Sequence, residues 1–159
     1  MTGHKAQHPW RDRPFEALVV ACSDGRFNEQ IDEFLHHRLA ISYYDRLFVP
    51  GGAGALAATG TEFLRVQRIR AECRFLIEAH AIRRAVLLFH GPAADGPSEA
   101  LCGDYLRRLP TSTVAGIRLQ QERDARQLLR EGLGPTVALE IYRCEVAKDA
   151  IVRFVPMGD

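Results

Sequence analysis

Neither sign of charge is in excess in this 159-residue chain: 21 basic residues stand against 20 acidic ones, a formal net charge of +1. The basic footprint that marks a phosphate-backbone binder is therefore missing, and nucleic acid is not an expected partner. Long apolar runs are missing too. No stretch approaches the roughly 20 residues of a membrane span, and the opening "MTGHKAQHPWRDRP" has none of the apolar core that a secretory leader requires. A cytoplasmic protein with no membrane association is expected, with residues 1–14 as a polar arm and 15–159 as one domain. Cysteine is sparse: Cys22, Cys73, Cys102 and Cys144 lie far apart in a chain that is 47% hydrophobic and long enough to bury a core without cross-links. A disulfide framework is not expected, which leaves thiols available for chemistry. Internal repeats, linkers and low-complexity segments are absent.

What is present is an alternation of apolar runs and helical periodicities. "FEALVVAC", Phe15 to Cys22, is apolar without interruption, as a strand covered on both faces is. Asn28 is positioned to cap a helix bearing Ile31, Phe34, Leu35 and Leu39, with His36 and His37 facing solvent. "DRLFVP" reads as a second strand and "GGAGALAATG" as a glycine-rich turn. A capping box from Thr59 to Glu62 then opens a long helix with Phe63, Ile69, Cys73, Leu76, Ile77 and His80 on one face, and with Arg65, Arg68, Arg70 and Arg74 solvated. "RRAVLLFHG" is a buried strand ending at His90. "SEALCGDYLRRL" and "LQQERDARQLLREGLG" read as helices, the second closed by Gly132 or Gly134. In the tail, "TVALEIYRCEVAKDAIVRFVPM" reads as two strands joined at Ala147 to Asp149. This order predicts an α/β fold: a mostly parallel sheet with helices on both faces and an antiparallel edge strand at the C-terminus.

Such sheets carry their sites at the carboxyl ends of the strands. Two chemistry-bearing residues stand there, Cys22 and His90, and if their strands are neighbours a thiolate and an imidazole come within ligand distance of one metal ion. "VVACSDGRF" adds Asp24 and Arg26 at alternate positions after Cys22. An anion cradle of the phosphatase or rhodanese kind is excluded, because only Ser23, Asp24 and Gly25 separate the cysteine from the arginine and one of them is a carboxylate. Gly52, Gly54 and Ala57 match the dinucleotide spacing, but the next strand ends in Phe89 and His90 rather than in an acidic residue, so no nucleotide cofactor is expected. Each residue has a structural reading as well. Cys73 and Cys144 are core; Cys22, His90 and Cys102 taken singly fit small core or hydrogen-bonded roles; and Asp24 with Arg26 fits a turn-stabilising ion pair.

Cys22-x-Asp24-x-Arg26 after the first strand, a glycine-rich turn after the second, His90 after the third and the closing "EIYRCEVAKDAIVRFV" together resemble the β-class carbonic anhydrases from Phe15 to Val155. The resemblance implies a zinc enzyme hydrating carbon dioxide to bicarbonate, with Cys22 and His90 as zinc ligands, Asp24 and Arg26 as a catalytic dyad, and a homodimer in which the N-terminal arm crosses to the partner. Two departures stand out. Three residues after His90, where the family has its second cysteine ligand, this chain has Ala93, and the Cys-Gly pair comes only at Cys102 and Gly103, after "PAADGPSEA". "VPGGAG" also replaces the family's Arg-Asn-containing turn. The third ligand is therefore open between Cys102, which would lie about a turn inside a helix, Asp95 at that helix's start, and Asp24, with loss of zinc as the fourth possibility. A catalytically degenerate binding module and a different hydrolytic chemistry are the alternative functions.

Overall fold

The computed structural model describes residues 3–57 and 62–158. Five strands form one sheet: β1 Ala17–Cys22, β2 Tyr44–Val49, β3 Arg84–Pro92, β4 Ala138–Val146 and β5 Val152–Pro156, in the order β2-β1-β3-β4-β5. The first four run parallel, and β5 returns antiparallel along β4 from Val146↔Val152 to Tyr142↔Pro156. The expected fold class is thus the observed one. The tail turn closes with the Ala147 N–H donating to the Ile151 carbonyl at 2.9 Å.

The uninterrupted apolar run of β1 has its reason in two cores. Leu18 and Val20 point to one, Ala17, Val19 and Ala21 to the other, and all five are fully buried. At about 1.5–3 kcal/mol for each large aliphatic side chain, this central strand is held from both sides. The first core takes helices α2 Phe63–Ala79, α3 Gly103–Arg108 and α4 Val114–Glu131. The second takes α1 Asn28–Glu33, whose axis continues through a wider turn over Phe34–Arg38 and buries Ile31 and Leu35 while His36 and His37 stay exposed.

Local signals decide the helix ends. Thr113 caps α4 by accepting from the Gly116 N–H at 3.1 Å, and Gly132, at φ +67°, ends it. Asn28 is not a cap: a turn at Gly25–Phe27 precedes α1, and Asp24 caps that turn. Thr59 of the expected capping box lies outside the described residues; Glu62 immediately precedes α2. The buried stripe of α2 is Val66, Ile69, Cys73 and Ile77, whereas Phe63 is 61% exposed. The expected solvated arginine face holds only in part. Arg70 donates to the Leu56 carbonyl and Arg65 pairs with the buried Asp104, so two of the four clamp the glycine-rich turn and α3 onto α2. Among the described residues no helix is long and apolar enough to cross a membrane.

Candidate metal centre

The strand order reverses direction between β1 and β3, so the chain leaves their carboxyl ends on opposite sides and opens a crevice there. β1 and β3 pair only through Val20↔Leu87, while β3 continues beside β4 to Pro92↔Val146. His90 therefore sits inside β3 rather than at its end, on a segment that β1 no longer accompanies. Cys22 enters from the last position of β1, still paired with Val49 of β2.

Cys102 enters from a direction the sequence did not suggest. "SEALCGDYLRRL" is not one helix: a single turn at Ser98–Ala100 gives way to extended Leu101 and Cys102, and α3 starts only at Gly103. Cys102 is the residue before the helix, and its extended backbone aims the side chain into the crevice. One ligand atom each from Cys22, His90 and Cys102 lie within 4.8 Å of one another. Asp95, expected at a helix start, lies instead in an exposed turn and takes no part in this cluster. Asp24 is close by in the chain but engaged elsewhere.

The cluster is half sealed. His90 is 4% exposed and Cys102 1%, while Cys22 keeps partial contact with solvent. Phe27 packs its ring 4.6 Å from that of His90. Neither nitrogen of the His90 ring has a hydrogen-bond partner among the described residues. A buried imidazole without partners is unusual in a folded protein, and two sulfur donors facing it supply the soft set that zinc selects. The residues present therefore fit a zinc ion, which Cys22, Cys102 and His90 would hold through two thiolates and one imidazole. The Cys22 thiol is held down to about 4, chiefly by the Cys102 thiol donating to it and then by the nearness of His90, against the opposing effect of burial. Cys102 is pushed above the usual thiol range by the hydrogen bond it donates to Cys22, then by burial and by the Cys22 charge, so without metal the pair carries one negative charge. Cys73 and Cys144 are buried in the two cores, and burial raises each to about 12.

Asp24 and Arg26 form a forked ion pair beside the cluster. Arg26 Nε donates to Asp24 Oδ1 at 2.9 Å and Nη2 to Oδ2 at 2.6 Å, while the Arg26 backbone N–H also reaches Oδ1. These bonds hold the Asp24 carboxyl below its ordinary range, keeping it an ionised acceptor. Arg26 Nη1 reaches on to the Glu99 carbonyl at 3.0 Å, tying the pair to the turn that leads into Cys102. A cavity of about 280 Å³, lined in part by Arg26, Phe27, Gln30 and Pro97, opens on this side.

The glycine-rich turn serves packing. Gly52, at φ +54°, lies so close to β1 and β3 that a Cβ there would meet the Leu88 carbonyl oxygen at 2.6 Å and the Cys22 nitrogen at 2.7 Å. Gly51 to Leu56 are buried. Sequence reasoning missed Phe27, Glu99 and the interrupted helix. The pair of extended dihedrals at Leu101 and Cys102 has no strong local signature.

No protein-family pattern matches the chain, and no curated protein matches it in sequence. Among solved structures, the β-carbonic anhydrase CafA of the fungal pathogen Aspergillus fumigatus aligns with a TM-score of 0.49 at 13% identity, over 89% of this chain and 75% of that one. The carbonic anhydrase from Glaciozyma antarctica aligns with a TM-score of 0.50 at 14% identity, over 90% of this chain and 83% of that one. At such identity the likeness is one of fold, and the chain has a β-carbonic-anhydrase-like fold.

Proposed function

We propose that this protein is a zinc-dependent lyase that hydrates carbon dioxide to bicarbonate. The observation that carries the proposal is the meeting of Cys22, His90 and Cys102 at the switch point of the sheet, with the His90 ring unpartnered and the Asp24–Arg26 pair beside it. Cys22, His90 and Cys102 would hold the ion, which when bound supplies Lewis-acid activation of water at neutral pH. Arg26 fixes Asp24 by its forked contact, and Asp24, kept ionised, orients the reacting water by accepting its hydrogen bond. Both Asp24 oxygens already take donors from Arg26, which keeps the carboxylate from turning into the cluster as a ligand. Burial of the other groups excludes bulk water from the inner side.

The test is Asp24→Asn. The amide keeps the shape of the side chain but neither pairs with Arg26 as an ion nor accepts through both oxygens. Fold and zinc content are expected to persist while the rate of carbon dioxide hydration falls by about 10²–10⁴, the usual contribution of a positioned acid–base group. A parent that carries stoichiometric zinc and hydrates no carbon dioxide would overturn the proposal. A second reading, a degenerate module that keeps the site and has lost the reaction, is favoured by the glycine-rich turn: at its closest approach to Cys22 stands Gly52, which has no side chain to offer a substrate. That same inactive, zinc-loaded parent is its signature.

A further inference from the structure

His90 reaches the crevice on a strand that has lost one neighbour. β1 stops pairing at Leu87, and beyond that point donors arrive from α4 instead. Gln121 Nε2 donates to the His90 carbonyl at 2.9 Å, and Arg118 Nη1 donates to the Pro92 carbonyl at 2.7 Å. Alternate residues of a strand turn their carbonyls to the same edge, and residues three apart share one face of a helix. The two bonds are thus successive rungs by which α4 takes over the hydrogen bonding that β1 gives up.

Gln121 is the more telling rung. It is 1% exposed, in a buried helix stripe whose other members are Ile117, Asp124, Ala125 and Leu128. An amide buried there without a partner costs about 1–3 kcal/mol relative to an apolar side chain, so its place in that stripe is tied to the bond it makes. The atom it holds belongs to the one residue of the cluster whose ring has no other hydrogen bond. Metal-ligating imidazoles are ordinarily steered by a partner on the second ring nitrogen. Here the ring is steered by the Phe27 contact and by its own backbone.

We propose that Gln121 is a positioning residue of the metal centre: by fixing the His90 carbonyl, it sets the direction in which the imidazole nitrogen meets the Cys22 and Cys102 sulfurs. The proposal rests on the reading that this cluster holds zinc. Gln121→Met keeps the length and approximate volume of the side chain and removes the donor. The full-length metal-free variant is expected to fold, to bind zinc about 10- to 100-fold more weakly in competition with a chromophoric chelator, and, loaded with cobalt, to show a displaced d–d spectrum. Arg118→Met, which removes the neighbouring rung two residues along the strand, is the comparator for a purely structural effect and should bind zinc as the parent does. If Gln121→Met does not fold, Gln121→Leu, which also lacks the donor, is read in the same two assays and should show the same loss of zinc affinity and displaced cobalt spectrum. Parental zinc affinity and cobalt spectrum in Gln121→Met, or an equal loss in Arg118→Met, overturns the positioning role while leaving the zinc site intact. A parent that binds no zinc removes the zinc reading and this inference together.

Discussion

Cys102→Ser separates the three candidates for the third zinc ligand. Structural zinc sites bind with about 10–16 kcal/mol through four protein ligands, so one thiolate carries about 3 kcal/mol of that. At 1.4 kcal/mol per decade, its loss should weaken zinc binding by about two orders of magnitude. Serine is nearly isosteric with cysteine, so no cavity opens in the first core, but a hydroxyl replaces a thiol that is 1% exposed. That burial lowers the stability of the metal-free protein by about 1–2 kcal/mol. The two effects are read apart: thermal unfolding of metal-free protein reports the second, and chelator competition at a temperature where both proteins are folded reports the first. Asp95→Ala is the matched control and should leave zinc affinity unchanged, because the Asp95 turn is exposed and outside the cluster. The reasoning is refuted if Cys102→Ser keeps parental affinity, and doubly so if Asp95→Ala or Asp24→Asn loses it.

The pH response of the metal-free thiol pair has a definite sign. Cys22 is held down to about 4, so its thiolate, and with it alkylation by iodoacetamide, should persist from neutrality to about pH 5; the stability this group contributes is fully present above the ordinary thiol pKa and is lost as pH falls towards 4. Cys102→Ala removes the first cause of that depression and should move the alkylation midpoint upward, whereas a parental midpoint in the ordinary thiol range near 8.5 contradicts the reading. For the glycine-rich turn, Gly52→Ala drives a methyl into the Leu88 carbonyl and the Cys22 nitrogen at positive φ, and should cost about 3 kcal/mol, lowering Tm by roughly 6–12 °C. Gly103→Ala, where a Cβ meets nothing within 4 Å, should be tolerated; equal melting of the two variants would show that the close approach is not what requires Gly52.

Much of this fold was legible because the relevant signals are local or periodic. The apolar run of β1 announced burial on both faces, Gly132 announced the end of α4, and the βαβ order announced a parallel sheet with its site at the carboxyl ends. Cys22 stands where that rule places it, at the last position of β1, whereas His90 lies two residues inside β3 on the part that β1 does not accompany. What was not legible depends on tertiary contact. Phe63 fits an apolar helix face by spacing, yet the stripe of α2 is set by which turn of the helix meets the sheet, and Phe63 lies outside it. Arg65 and Arg70 look like solvated charges until α3 and the turn at Leu56 supply their partners. The segment from Ser98 to Arg108 reads as one helix by propensity, and is broken where Ala100 buries and Cys102 turns into the crevice.

That break explains how Cys102, twelve residues after His90, still reaches the crevice where Cys22 and His90 stand. Loop-closure entropy grows only logarithmically, about 0.6 kcal/mol for each doubling in length. Relative to a spacing of three residues, this connection spans two doublings, about 1.2 kcal/mol. Most of the added segment is also fastened to the fold. The Ala93 N–H donates to the Val146 carbonyl at 2.9 Å, the Gly96 N–H closes a turn onto Ala93 at 3.1 Å, and Arg26 holds the Glu99 carbonyl. Gly96 packs so tightly on Val146 that a Cβ there would run into its carbonyl oxygen. Arg26 therefore joins the ion pair beside the site to the connection that presents Cys102, and a displacement of either is felt by the other. The position of Cys102 along the chain is weakly constrained by these terms, whereas its position in space is fixed by the crevice between β1 and β3.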